Sequence, residues 1–196
     1  MDESETGLLT RNPWVARRKL DIWEYHRMGE AGVFTEGDRV ELIEGELIQM
    51  TPIGSGHSGT INGTNRALLR AVGDQAIVSV QNPVRLGDYS EPQPDFLLLR
   101  PRADDYRLRT PLAEDVLLLI EVADSSLRYD RAVKLPLYAR HGIPEVWIVD
   151  LTANVVEWFR HPAGDSYAET GRAGRGETLT PALLSEVAIP VAAILG

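Results

Sequence analysis

Two apolar runs, each bordered by a carboxylate, constrain the fold of this 196-residue chain more than any other feature. Residues 96–99 follow Asp95, and residues 116–120 precede Glu121. Runs of four or more bulky apolar residues are typical of strands buried on both faces of a sheet. A carboxylate at the end of such a strand needs a positive partner, because burial penalises an isolated charge. The two carboxylates therefore predict a shared partner, and a divalent cation that prefers oxygen ligands is the natural one.

The apolar pattern predicts helices and strands that alternate along the chain. Helices are expected over residues 19–30, 58–72 and 129–141, the last with Pro136 at a kink or near its start. Besides the two apolar runs, strands are expected over 39–43, 46–50, 76–80, 83–86 and 145–149, followed by a hairpin of 155–160 with 166–170 across 161–165. A strand, a helix and a strand between residues 116 and 149 predict one βαβ unit with parallel strands. The apolar tail from Leu179 is expected to pack on the core.

Composition places the chain among globular proteins. Apolar residues make up 43% of it, which is enough for a core, and the length predicts one domain over residues 14–196 after a loose arm over 1–13. The absence of cysteine excludes disulfides and thiolate zinc sites. No apolar stretch is long enough for a membrane span, and the acidic N-terminus lacks the apolar core of a signal peptide. We expect a cytoplasmic protein without a membrane partner.

The net charge of −9 argues against a large non-specific surface for nucleic acid, because phosphate binding relies on lysine and arginine. A local basic patch remains compatible with this balance. The candidates are residues 17–19, which read Arg-Arg-Lys, and the four arginines at positions 100, 102, 107 and 109. A solvated surface of mixed charge is the simpler reading of both groups.

Five segments together resemble the PD-(D/E)XK nuclease superfamily, and within it the Uma-two family of restriction-endonuclease-like proteins. They are residues 40–47 (VELIEGEL), Pro94-Asp95, residues 120–122 (IEV), residues 134–139 (KLPLYA) and residues 142–150 (GIPEVWIVD). The resemblance covers residues 14–196. It implies an α/β fold with a mixed central sheet flanked by helices, restriction-endonuclease-like.

The resemblance also implies roles for individual residues. Asp95 and Glu121 would hold a metal ion together with the main-chain carbonyl of Val122. A lysine two residues after the glutamate is usual in the superfamily, but this chain has Ala123 there, and Lys134 is the replacement that the Uma-two pattern offers. Glu41 would lie near the site.

Each candidate also has a simpler explanation. Asp95 could cap a turn, Glu121 could pair with Arg128, and Lys134 could be a solvated helix residue. His57 could cap a helix, pack, bind phosphate or shuttle protons. Two carboxylates that share a site repel each other, so one of the two is expected to titrate high when no metal is bound.

The function that the resemblance implies is an endonuclease that uses Mg²⁺ or Mn²⁺ to hydrolyse DNA. We expect a homodimer, with an interface supplied by the apolar tail and by Trp158 and Phe159, because cutting both strands of a duplex suits a two-fold assembly. Two alternatives stay open. One is a decayed nuclease that serves as a DNA- or protein-interaction module, and the other is a metal-dependent hydrolase of a small phosphoester.

Overall fold

A six-stranded mixed sheet carries the fold in the computed structural model, which describes residues 16–35, 37–50 and 54–196. The arm expected over 1–13 lies outside these residues. The chain divides into two units, Met1–Met50 with Asp88–Glu91 and Thr51–Gly87 with Pro92–Gly196. The expectation of one domain over 14–196 stays a prediction.

The first unit contains a helix and a hairpin. Helix α1 (Ile22–Glu30) begins at a capping box. The Asp21 side chain accepts from the Glu24 backbone N–H, and the Glu24 side chain accepts from the Asp21 backbone N–H. Strands β1 (Val40–Ile43) and β2 (Glu46–Gln49) follow.

The turn between β1 and β2 needs a glycine at its second position. Ile43 lies opposite Glu46, which leaves Glu44 (φ 51°) and Gly45 (φ 85°) as a two-residue turn with two left-handed residues. A Cβ on Gly45 would lie 2.5 Å from Cβ of Lys19. The predicted hairpin is thereby confirmed.

The second unit contains the sheet, whose strands lie in the order of the sequence. They are β3 (Ile77–Val80), β4 (Phe96–Leu99), β5 (Val116–Ala123), β6 (Glu145–Asp150), β7 (Val155–Ala163) and β8 (Ser166–Ala173). Only the pair β5 and β6 is parallel among these strands, as the βαβ prediction requires. Every residue of β4, β5 and β6 is buried. The predicted fold class, a mixed sheet with helices, is confirmed.

Helix α2 (Ser55–Val72) packs Leu68 and Val72 into the core of this unit. Short strands β9 (Thr178–Leu179) and β10 (Ile189–Pro190) form a small ladder, and helix α4 (Val191–Leu195) ends the chain. The tail packs on the core, as predicted. The tail side chains that join the core are Leu179, Leu184, Val187, Ile189, Val191, Ile194 and Leu195.

Helix α3 crosses from β5 to β6 and contains a π-turn. It consists of Leu127–Tyr129, the π-turn Asp130–Lys134 and Leu135–Arg140, three consecutive segments. At the end of the π-turn the Leu135 N–H donates to the Asp130 carbonyl, five residues back. Pro136 comes next, and a proline in regular α-helix would clash with the carbonyl four residues before it. The wider turn is where the helix accommodates this proline.

Two expectations about this unit are wrong. Residues 83–86 form no strand, because the N–H groups of Val84 and Arg85 donate to two different segments, at Pro92 and Pro111. The hairpin loop is shorter than expected, since Ala163 already pairs with Ser166. Seven apolar side chains of the tail are buried in the core of this unit, whereas Leu183 is 49% exposed, so the dimer interface expected at the tail stays a prediction. In the described ranges no helix is both long and apolar enough to cross a bilayer.

Candidate active site on the central sheet

Asp95 and Glu121 come together across two neighbouring antiparallel strands. Phe96 of β4 pairs with Ile120 of β5, so continuing this register by one residue places Asp95 opposite Glu121. Directly opposed residues project from the same face of a sheet. Both residues are buried, with exposed fractions of 6% and 4%. The two apolar runs of the sequence therefore place two carboxylates side by side.

Three groups of three different segments hold the Asp95 carboxylate. Oδ2 accepts from the Val122 backbone N–H at 2.8 Å, and Oδ1 accepts from the Gln81 side-chain amide at 3.2 Å. Nε2 of His57 lies 3.1 Å from Oδ1. Burial alone would raise the pKa of Asp95, but the His57 hydrogen bond and charge, with the bonds from Val122 and Gln81, outweigh it and hold that pKa below its usual value.

The lowered pKa bears on the expectation that one of the two carboxylates titrates high without metal. Asp95 is not that carboxylate, because its donors stabilise the ionised form more than burial penalises it, and the expectation itself stays a prediction. Asp95 also caps no turn, since its Oδ2 bonds to β5.

Glu121 lies against two donors of helix α3. Its Oε1 accepts from Nζ of Lys134 at 3.2 Å and from the Tyr138 hydroxyl at 2.5 Å. Lys134 is 1% exposed and Tyr138 is fully buried. Glu121 pairs with Lys134 and not with Arg128. Lys134 is not a solvated surface lysine, because its ammonium is buried beside a carboxylate.

The π-turn carries Lys134 into this position. Lys134 is its last residue, and Tyr138 follows four residues later, which places the two side chains on the same face of the helix. π-turns within α-helices occur frequently at functional sites. The π-turn thus both precedes Pro136 and ends at Lys134, which with Tyr138 donates to Glu121.

His57 lies in the first turn of α2, which begins at Ser55 and not at Ser58 as predicted. The position before the helix is Gly54, and no side chain caps the N-terminus. His57 therefore does not cap the helix; its ring reaches Asp95 with 16% of its side chain exposed.

A hard cation fits the donor set that β4 and β5 present. Within residues 16–35, 37–50 and 54–196 no group of three or more His, Cys, Asp and Glu side chains could hold a metal ion. Two opposed carboxylates are nevertheless what Mg²⁺ usually takes from a protein, with water and substrate phosphate completing its shell. The residues fit the metal that the resemblance implies.

Comparison with known families identifies the chain. A model of the Uma2 family, described as "Putative restriction endonuclease", matches residues 22–192. The chain belongs to the Uma2 family.

The fold of this Uma2 member is similar to that of a solved structure from Anabaena variabilis ATCC 29413, described as "a putative nuclease belonging to DUF820". The TM-score is 0.64 at 18% sequence identity, over 80% of this chain and 89% of that chain. No curated protein matches the chain. The family model places the chain in a restriction-endonuclease-like family, and the solved structure supports the fold.

The Uma2 site contains two residues that the sequence did not point out, Gln81 and Tyr138. Tyr138 is four residues from Lys134, and this spacing was the available signal. Gln81 follows an apolar strand and carried no signal of its own. Glu41 is buried in β1 of the other unit, and its assignment to the site stays a prediction.

Proposed function

We propose that this Uma2 protein is an endonuclease that hydrolyses phosphodiester bonds of DNA with Mg²⁺ or Mn²⁺. The observation that carries the proposal is the opposition of Asp95 and Glu121 across β4 and β5, with Lys134 buried against Glu121. A buried arrangement of two carboxylates and one ammonium is costly to keep for stability alone. The family supports a nuclease, and the donor set supports a divalent metal.

In this proposal Asp95 and Glu121 hold the metal ion, and the Val122 carbonyl is a further ligand. The ion, when bound, activates a water and neutralises charge on the scissile phosphate. His57 and Gln81 fix the orientation of the Asp95 carboxylate through their bonds to Oδ1.

The remaining proposed roles fall to Tyr138 and Lys134 of helix α3, to Glu41 of β1 and to His57 of helix α2. Tyr138 fixes Glu121 through its hydroxyl. Lys134 orients the attacking water or stabilises the negative charge that develops on phosphate. Glu41 is proposed to hold a second metal ion or a metal-bound water. His57 is the candidate to contact phosphate or move a proton, since part of its ring is exposed.

A nicking assay on supercoiled plasmid tests the proposal. Wild type with Mg²⁺ or Mn²⁺ should convert supercoiled to open-circle DNA, and chelation of the metal should stop the reaction. Asp95→Ala should abolish nicking, whereas Asp165→Ala, which removes an exposed carboxylate paired with Arg140, should nick like wild type. Equal nicking by Asp95→Ala and wild type would overturn the assignment.

The second candidate is an interaction module derived from a nuclease. The observation in its favour is that both oxygens of Asp95 already accept hydrogen bonds from the protein, as in a structural carboxylate. Ala123 at the usual lysine position also favours it. This candidate predicts DNA or protein binding that does not depend on metal, and no nicking.

A homodimer completes the proposal, because each chain carries one Asp95–Glu121 pair and a duplex has two strands to cut. We propose that the protein acts in the cytoplasm. A chain without cysteine forms no disulfides and therefore does not need an oxidising compartment. A single monomer mass in light scattering would contradict the dimer.

A further inference from the structure

A groove of about 560 Å³ runs along the edge strand of the sheet. Residues 77–79 of β3 form one side of it, and the loop 105–111 forms another. β3 pairs only with β4 within the six-stranded sheet, so its second edge has no neighbouring strand there. All four of its residues are partly exposed. The groove thus lies where the sheet is open.

The loop beside the groove is basic in a chain that is acidic overall. Residues 100–111 contain four arginines and two aspartates, while the whole chain has a net charge of −9. Arg102 pairs with Asp104, and Arg109 makes two bonds to Asp115 at 2.7 and 2.9 Å. Arg107 lines the groove, and its guanidinium has no hydrogen bond or ion pair in the described part of the chain. It is a cation available to a ligand.

An aromatic ring and an exposed aliphatic side chain flank this cation. The guanidinium carbons of Arg102 and Arg109 lie 5.7 and 5.6 Å from the centre of the Tyr106 ring. Leu108 is 84% exposed. Tyr106 has a φ of 59°, in the left-handed region that residues with a Cβ seldom adopt. The fold holds the ring at the groove in an unfavourable backbone conformation, as is frequent at ligand sites.

The lining of the groove includes the residue that follows Gln81 of the candidate active site. Asn82 lines the groove, and its side-chain amide donates to Oγ of Ser79. The preceding residue, Gln81, donates its side-chain amide to Asp95 and its backbone N–H to the Asp95 carbonyl. The groove is thus linked to the carboxylate pair through the adjacent residues Gln81 and Asn82.

We infer that this groove binds a single strand of DNA next to the scissile phosphate. The inference rests on the proposed function. Arg107 contacts a phosphate, Tyr106 and Leu108 pack against bases, and Ser79 with Asn82 offers polar contacts. Cationic grooves with aromatic side chains are the common means of binding single strands. The three residue steps of β3 span roughly 10 Å, the length of about three stacked bases.

Binding of a short single-stranded oligonucleotide to the full chain, followed by fluorescence anisotropy in chelator, tests the groove. Arg107→Ala should weaken binding about 3- to 10-fold and lower the salt dependence by about one phosphate contact. Arg107→Lys should retain most of the affinity, because it keeps the charge. Tyr106→Ala should weaken binding about 5-fold or more, since it removes a stacking surface.

Two controls separate the groove from general effects. Arg70→Ala removes an exposed arginine of helix α2 that does not line the groove, and it should bind DNA like wild type. Tyr106→Phe keeps the ring and loses the hydroxyl with its bond to the Arg100 carbonyl and its interaction with Asp115, so it should bind within about 2-fold of wild type. Melting temperatures of all variants confirm that they fold.

The outcomes distinguish the groove from the nuclease. If wild type and Arg107→Ala bind the oligonucleotide equally, or if wild type binds none, the groove inference is wrong even where plasmid nicking is observed. If Arg107→Ala binds weakly but wild type nicks no plasmid with metal, the groove stands and the proposed cleavage fails. Hydrolysis of bis(p-nitrophenyl) phosphate, which has no neighbouring nucleotides to occupy the groove, should be unchanged in Arg107→Ala.

Discussion

Two buried glutamates on the neighbouring strands β5 and β6, Glu121 and Glu145, differ in the groups that surround their carboxylates. Glu145, at the start of β6, accepts from Trp147 at 2.6 Å, from Arg160 at 2.9 Å and from the Ala182 backbone at 2.5 Å. Its donors come from β6, β7 and the tail, and they use both of its oxygens. This carboxylate ties three parts of the chain together.

Glu121 on β5 instead receives Lys134 and Tyr138 on one oxygen, and both donors belong to helix α3. A second carboxylate, Asp95, lies opposite it in the adjacent strand. Burial alone therefore does not mark a site. Donors from three segments do not mark a structural clasp either, because Asp95 is held in the same way as Glu145. What separates the candidate site is that two carboxylates lie opposite each other on neighbouring strands.

The largest expected effect is on stability at Glu145. Glu145→Ala leaves the Arg160 guanidinium and the Trp147 N–H without their buried partner, and we expect a loss of about 3–5 kcal/mol in the free energy of unfolding. Urea denaturation measures this loss. Glu169→Ala, at an exposed position of β8, should change stability by less than about 0.5 kcal/mol. A small effect of Glu145→Ala would remove the distinction between the two glutamates.

Lys134→Met should act mainly on catalysis. It keeps the length of the side chain but removes the ammonium beside Glu121, and the cleavage rate should fall about 100- to 1,000-fold, equivalent to roughly 3–4 kcal/mol. The matched variant is Arg160→Met, which removes the cation beside Glu145. Arg160→Met should lower stability and leave the rate per folded molecule unchanged. Single-turnover nicking gives both rates, and equal rates in the two variants would contradict the comparison.

Tyr138→Phe removes one hydrogen bond to an ionised group and keeps the packing of the ring. We expect a loss of about 1.5–3 kcal/mol in the free energy of unfolding, measured by urea denaturation. A site role also predicts a lower kcat with little change in KM. Tyr167→Phe, which removes a hydroxyl bond to the Ile143 carbonyl, is the control and should leave kcat unchanged.

The smallest effect concerns a partly exposed pair, Asp115 with Arg109. Burial would raise the pKa of Asp115, but its bonds from Arg109 and from the Leu112 backbone hold that pKa below the usual 3.8. A lowered folded pKa means that the stabilisation is present above 3.8 and is lost as pH falls through the folded value. Arg109→Ala should cost less than about 1 kcal/mol at neutral pH, because solvent screens the pair. The difference from wild type should shrink in acid melts; a constant difference would contradict the electrostatic explanation.

Much of the sheet follows from the sequence because long aliphatic runs leave few alternatives to a buried strand. This is why Asp95 and Glu121 could be expected on strands, and why the hairpin at Glu44-Gly45 was predicted correctly. The strand predicted over residues 83–86 was wrong because their β-like composition does not reveal that the N–H groups of Val84 and Arg85 bond to two separate segments.

The environment of the site was less predictable. The π-turn that carries Lys134 has no periodic pattern in the sequence, and only its proline hints at it. Gln81 and Tyr138 reach the carboxylates through pairings that are distant along the chain, and each has an ordinary structural reading by itself. The donors that lower the pKa of Asp95 are also distant from it along the chain. Repulsion between two carboxylates was therefore not enough to predict the direction of the pKa shift of Asp95.

Thermal unfolding with and without Mn²⁺ tests most directly whether the Asp95–Glu121 pair holds a metal ion. At Mn²⁺ about tenfold above its Kd, wild type should gain about 1.4 kcal/mol, which raises Tm by roughly 3–5 °C. Glu121→Gln should lose this shift. Glu145→Gln should keep it, although its Tm without metal is lower. The metal assignment to Asp95 and Glu121 is contradicted if wild type shows no shift at millimolar Mn²⁺, or if Glu121→Gln shifts as much as wild type.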